Sequence, residues 1–252
     1  MSESRVALVT GASKGIGAAC AASLSAAGHR VALLARDEGA LKAVADSLPG
    51  ESLVVVADVT DPAAVEAAYA RIEQSWGQVE LLVVNAGSGS SAPVVATSDE
   101  EWQRMLEVNL TAPFRFIRRA LPSMTTAGFG RVVVIASVAS KVGERRIAAY
   151  TAAKHGVLGL VRAASAEVAR SGVTVNAVCP GYVDTPMTDD SVAQISAGTG
   201  RSLEEARGVL ERMQPIGRLI TPDEVAAAMM LCIDNAGING QGLNVDGGAV
   251  QS

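Results

Sequence analysis

VALVTGASKGIG, residues Val6 to Gly17, decides the fold. Four apolar residues and a threonine run straight into a glycine-rich turn, and Ile16 to Ala27 then continue as an Ala-rich helical stretch. A buried strand, a sharp turn and a helix make the first half of a βαβ unit. The glycines let the backbone turn tightly and approach an anion closely. The helix start adds unpaired N–H groups and the positive end of its dipole.

Outward from that stretch the same alternation repeats. RVALLA, the helical Glu38 to Ser47, SLVVVA, Ala63 to Trp76 and LLVVN follow in order. After a long helical segment come RVVVIAS, a helix over Tyr150 to Arg170, TVNAV, a helix over Pro222 to Ile233, and GLNV. Short apolar strands joined by helices of this length predict a single α/β domain over residues 1–252. Its doubly wound parallel sheet has about seven strands and helices on both faces. Ligands in such sheets bind outside the carboxyl ends of the strands, so residues there carry the functional reading. Residues 186–217, rich in Ser, Asp, Gly and Thr before an amphipathic Leu203 to Met213, read as a long loop. It is expected to act as a lid over the substrate, with a tolerated surface insertion as the alternative.

Composition narrows the chemistry. With 49% apolar residues the chain buries a sizeable core, and a net charge of −5 disfavours a nucleic-acid partner. Cys20, Cys179 and Cys232 are far apart, without metal-ligand spacing, and read as small core residues in a reducing compartment. No metal is expected. The start of the chain lacks the pattern of a signal peptide and no apolar run is of membrane-spanning length, which places the protein in the cytoplasm with no membrane partner.

The glycine turn marks the cofactor end. Gly11, Gly15 and Gly17, with Ser13, Lys14 and Ile16 between them, suit the pyrophosphate of a dinucleotide, although their spacing departs from GxGxxG. Where an acidic residue would take the ribose 2′-hydroxyl of NAD, this chain has Ala35 and Arg36, and a guanidinium suits a 2′-phosphate instead. Lys14 would add a second charge, so NADPH is favoured over NADH. The alternative leaves both cations solvated and gives the ribose to Asp37. Asp58 and Asn85-Ala86-Gly87, past the third and fourth strands, suit adenine and its ribose, or serve only as turn formers.

Tyr150 and Lys154 stand four apart on one helix face. A fixed ammonium beside a phenol favours the phenolate and is expected to lower the tyrosine pKa, which equips Tyr150 for proton exchange with a carbonyl oxygen. Ser137, at the end of the fifth strand, would hold that oxygen. Asn109, polar between Val108 and Leu110, needs partners for a buried amide, and a water chain to Lys154 is expected to supply them.

The chain resembles the short-chain dehydrogenase/reductase family over essentially its whole length. The residues that carry the likeness are 10–17 (TGASKGIG), 85–87 (NAG), Asn109, Ser137, 150–154 (YTAAK), 180–185 (PGYVDT) and 244–248 (NVDGG). The resemblance implies a Rossmann fold and a tetrad of Asn109, Ser137, Tyr150 and Lys154, with Lys154 also on the nicotinamide ribose. Val183 and Thr185 would hold the carboxamide, Pro180-Gly181 would shape that wall, and Asp58-Val59 would belong to the adenine side. It also implies a homotetramer packed through the long helices after the fourth and fifth strands. Val84 stands where the family usually has a second Asn before its AsnAlaGly.

Within the family, VTVNAVCPGYVDTPM and PIGRLITPDEVA look most like bacterial ketoreductases acting on 3-oxoacyl thioesters, including those of polyketide synthesis. Residues 88–93 lack the ProGlyGly associated with the polyketide enzymes. The expected activity is NADPH-dependent reduction of a small or carrier-bound 3-oxoacyl thioester. The alternatives are an alcohol dehydrogenase using the same tetrad and a non-catalytic cofactor-binding protein.

Overall fold

Seven parallel strands lie in the order β3-β2-β1-β4-β5-β6-β7 in the computed structural model, which describes residues 4–251. They are β1 (Val6–Thr10), β2 (Arg30–Ala35), β3 (Ser52–Val56), β4 (Leu81–Val84), β5 (Gly130–Ile135), β6 (Val173–Pro180) and β7 (Gly242–Val245). Every residue of β1, β4, β5 and β6 is buried, as a parallel sheet covered on both faces requires.

The helices divide by face because strand side chains alternate. Val6 and Leu8 point to one core, shared with Val65, Tyr69 and Ile72 of α3 (Pro62–Trp76), Phe116 and Met124 of α5 (Ala112–Ala127) and Val157 and Val161 of α6 (Ala148–Val168). Ala7 and Val9 point to the other, shared with Cys20 and Leu24 of α1 (Gly15–Ala26), Leu41 of α2 (Glu38–Ser47) and Val225 and Met229 of α9 (Pro222–Asp234). α4 (Asp99–Leu106) runs through a π-helical turn, Glu107–Thr111, into α5. The strand order reverses between β1 and β4, which opens a crevice at their carboxyl ends.

Three details refine the sequence reading. Val84 is a core residue paired with Val134, so the position carries packing instead of an amide. Cys20, Cys179 and Cys232 are buried and unpaired, and burial pushes the Cys20 thiol up to about 12. Residues 186–217 are not a long loop: they form α7 (Pro186–Thr199) and α8 (Leu203–Arg212). Pro186 starts α7 at a position where its missing N–H costs nothing, Ser191 and Thr199 bond back to the carbonyls of Met187 and Ile195, and Ser202 and Glu205 close a capping box on α8. Among the described residues no helix is long and apolar enough to cross a membrane.

Candidate active site

The crevice is bolted together by Thr10. Its buried hydroxyl accepts the N–H groups of Asn85 and Ala86, both at 3.0 Å, and so ties the end of β1 to the end of β4. Asn85 completes the joint by donating its amide to the carbonyls of Thr10 at 3.1 Å and Gly11 at 3.0 Å. The side chain expected on adenine or ribose therefore has both amide hydrogens committed to the glycine turn. A Cβ on Gly11 (φ 65°) would come within 2.8 Å of Asn85 Nδ2, and one on Gly17 within 2.6 Å of the same atom. Only bare backbone fits at either position.

The helix that follows has no side-chain cap. Lys14 is its N-cap residue with an extended backbone, and its exposed side chain makes no capping bond. The first helical bond runs from Ala18 N to Lys14 O, which leaves the N–H groups of Gly15, Ile16 and Gly17 without helical acceptors. An uncapped helix start behind a turn with no room for side chains fits a dinucleotide pyrophosphate. Ser13 is partly exposed at the same turn, and Ile16 turns its side chain against the core.

At the neighbouring strand ends, Arg36 is 81% exposed and reaches Asp58 at 3.9 Å. Asp58 is held by the N–H and hydroxyl of Thr60, and these bonds keep its carboxyl below the usual range. Val59 packs against the core with its side chain. Asp37 caps α2 by accepting the N–H of Ala40 at 3.0 Å, a role that competes with the ribose.

Tyr150 and Lys154 lie in the first two turns of α6 as the spacing predicts, with the ammonium 5.6 Å from the phenol ring centroid. Ser137, just past β5, stands beside the phenol and accepts the N–H of Ala139. The tyrosine is not lowered as its spacing from Lys154 led one to expect. Burial raises the Tyr150 phenol above its ordinary value, and Ser137 only partly opposes it. The strong shift falls on Lys154 instead: desolvation lowers it to about 8, while its ammonium donates to the Ile135 carbonyl at 3.0 Å.

Asn109 sits buried in the π-helical turn. Its amide donates to the carbonyls of Ser88 and Met105 and accepts the N–H of Ser88 at 3.2 Å, so its side chain needs no water chain to Lys154. A Cβ on Gly87 would stand 3.0 Å from Asn109 Oδ1 and 3.9 Å from Lys154 Nζ, which shows how closely the two approach that turn.

Beyond β6, Pro180 and Gly181 lead to Val183, which is buried and bridges to Ile220. Thr185 bonds back to the Val183 carbonyl, and its methyl faces Gly15, where a Cβ would meet it at 3.1 Å. The far wall of the crevice thus reaches the glycine turn. Gly11, Gly15, Gly17, Asn85 and Thr185 thus come together at the carboxyl ends of the strands.

A short chain dehydrogenase model matches residues 5–196. The chain belongs to the short-chain dehydrogenase family. Relatives of this dehydrogenase include a protein assigned as ketoacyl reductase 1 of the granaticin polyketide synthase in Streptomyces violaceoruber, 41% identical, with 96% of this chain and 92% of the relative covered. The 3-oxoacyl-acyl-carrier-protein reductase FabG of Escherichia coli is 37% identical, with 98% of this chain and 97% of that protein covered. A crystal structure of an actinorhodin polyketide ketoreductase variant with NADPH superposes with a TM-score of 0.93 at 38% identity, covering 99% of both chains.

The dehydrogenase fold also uses residues to which the sequence assigned no role. Thr10 is one. Gln214 is another: it is buried, accepts the N–H of Tyr182 at 3.0 Å, and donates to the carbonyls of Tyr182 and Arg218, so it braces the loop after β6. Asp246 accepts the N–H groups of Gly248 and Val250 behind Gly181. His155 bonds its own helix at Thr151, and buried His29 accepts the N–H of Arg5, which accounts for both without catalysis.

Proposed function

We propose that this oxidoreductase reduces the ketone of a 3-oxoacyl thioester to the 3-hydroxyacyl thioester with NADPH. One observation carries the reading: a buried phenol beside Ser137, with an ammonium 5.6 Å from its ring, at the strand ends that also hold the glycine cradle. A raised phenol is protonated at neutral pH and is the form that gives a proton. Bound reduced nicotinamide supplies the hydride. Tyr150 passes its proton to the substrate oxygen, Ser137 holds that oxygen, and Lys154, charged below about pH 8, offsets the phenolate as it forms. Asn109 shapes the turn behind Lys154.

The cradle of Gly11, Ser13, Gly15, Ile16 and Gly17 would hold the pyrophosphate, with Asp58, Val59, Ala86 and Gly87 on the adenosine side and Pro180, Gly181, Val183 and Thr185 against the carboxamide. Exposed Lys14 and Arg36, together with the capping role of Asp37, support a 2′-phosphate and so NADPH over NADH. The thioester substrate rests on the likeness to the ketoacyl and 3-oxoacyl reductases. The α7–α8 pair would cover the acyl chain as a lid. A homotetramer is part of the same reading, supported by the exposure of Phe114 on α5.

The test is the initial rate of NADPH oxidation with acetoacetyl-coenzyme A, beside NADH and beside Tyr150→Phe. Consumption of NADPH that falls by about 10²–10⁴-fold in the variant is the expected result. A wild type inactive with both cofactors overturns the reading.

A further inference from the structure

Glu144 sits on a segment, residues 141–147, that is tied to the segments after β4 and β6. On one side the Arg146 carbonyl accepts the N–H of Ala92 at 2.7 Å, and Ala92 and Ile147 pair as a short parallel bridge, which joins residues 141–147 to the segment after β4. On the other side the Tyr182 hydroxyl donates to Glu144 Oε2 at 3.1 Å, which joins the same residues to the loop after β6. Arg146 takes a left-handed backbone (φ 70°) between the two attachments, a conformation that costs free energy in a non-glycine residue and so needs such anchors.

The carboxylate this arrangement holds is partly buried and acts on the reaction centre. Burial is the main cause of the raised Tyr150 and Tyr182 phenols, and the Glu144 charge pushes both further up. The other titratable groups facing Tyr150 are Lys154 from α6, Cys179 from β6 and Tyr182 itself. Lys154 contributes the opposing charge, so the Glu144 contribution is isolated only by changing Glu144 itself. The segment that leads into Tyr150 thus carries a carboxylate held in place by Tyr182.

We propose that the Glu144–Tyr182 pair is a specificity determinant that turns away free 3-oxo acids and admits their uncharged esters and thioesters. The proposal rests on the ketone-reductase reading and names its substrate class more narrowly. In a free 3-oxo acid a negative charge lies two carbons from the reacting ketone. In a thioester that position is neutral, and the phosphates of a carrier arm lie far along the chain. Like charges held within one partly wet cleft cost enough to change a rate about tenfold.

The experiment compares kcat/KM for ethyl acetoacetate with kcat/KM for acetoacetate, in wild type, Glu144→Gln and Tyr182→Phe at saturating NADPH. The ratio of ester to acid is expected to fall about tenfold in Glu144→Gln, through faster reduction of acetoacetate. A smaller fall is expected in Tyr182→Phe, where the carboxylate stays but is no longer held. Glu144→Ala makes the same comparison if the glutamine variant does not fold. A ratio that equals the wild-type value in the Glu144 variants overturns the proposal while leaving ketone reduction in place. A wild type that reduces neither the ester nor acetoacetyl-coenzyme A overturns both.

Discussion

The Lys154 ammonium donates a 3.0 Å hydrogen bond to the carbonyl of Ile135, the last residue of β5. That bond aims a buried cation at the Tyr150 ring, and the fold is destabilised in exchange. Lys154 drops from an ordinary 10.5 to about 8, so the unfolded chain binds the extra proton between those values. Stability of the wild type is thus reduced in full below about pH 8 and recovers as pH rises towards 10.5. Lys154→Met is expected to gain about 1–2 kcal/mol at pH 7, net of the lost hydrogen bond, and to lose this pH-dependent rise. Denaturant melts at pH 7 and pH 10 check it, and a wild type that gains no stability relative to Lys154→Met over that range refutes it. Turnover by the variant is expected to fall by about a hundredfold or more.

Gly17 and Gly198 should answer the same substitution with opposite signs. A Cβ on Gly17 would run into the Gly11 carbonyl and the Asn85 amide, which are backbone and a committed side chain, so neither can move cheaply. Gly17→Ala is expected to cost about 1–3 kcal/mol and to weaken NADPH binding. Gly198 lies within α7 with open space around it, and Gly198→Ala is expected to gain about 0.5–1 kcal/mol by helix propensity alone. Thermal melts with a fluorescence titration of NADPH separate the two. Equal effects would mean that the Gly17 contact is not tight.

Much of this was legible because the relevant signals are local. Apolar runs such as Arg131 to Ile135 show a strand without reference to the rest of the chain, and the 150–154 spacing places two side chains on one face. What was not legible depends on partners distant in sequence. Thr10 looks like any strand end until β4 brings Asn85 and Ala86 to its hydroxyl, and Gln214 resembles a surface residue until Tyr182 folds onto it. The expectation for the phenol failed for a related reason. Helical spacing predicts that Lys154 is near, but not that burial raises the phenol. Serines and threonines in α7 suggested a loop because their back-bonding to the preceding turn is invisible in composition.

Gln214 gives a third expectation. Removing its side chain strips hydrogen bonds from the backbone of Tyr182 and Arg218 inside a buried pocket. Gln214→Ala is expected to destabilise the protein by about 2–4 kcal/mol. The loop after β6 carries Val183 and Thr185, so KM for NADPH is expected to rise more than kcat falls. A melt and a steady-state series in NADPH check both parts, and a fall in kcat alone would show that Gln214 braces something other than the cofactor wall.

Arg36 and Asp37 compete for the ribose in the sequence, and the structure separates them. The Arg36 guanidinium is exposed, with Asp58 as an ion-pair partner at 3.9 Å, a separation and exposure at which such a pair contributes little and leaves the cation available to a phosphate. Asp37 is committed to the first turn of α2 through Ala40. Arg36→Asp is therefore expected to remove the preference for NADPH over NADH by about tenfold or more, because it deletes a paired donor and sets a negative charge near Asp58. Asp37→Ala is expected to cost about 1 kcal/mol of stability as a lost helix cap while leaving the cofactor ratio as it was. The ratio of kcat/KM with the two cofactors decides between them. A ratio that moves with Asp37 and not with Arg36 would give the ribose to the aspartate and make NADH the cofactor of choice.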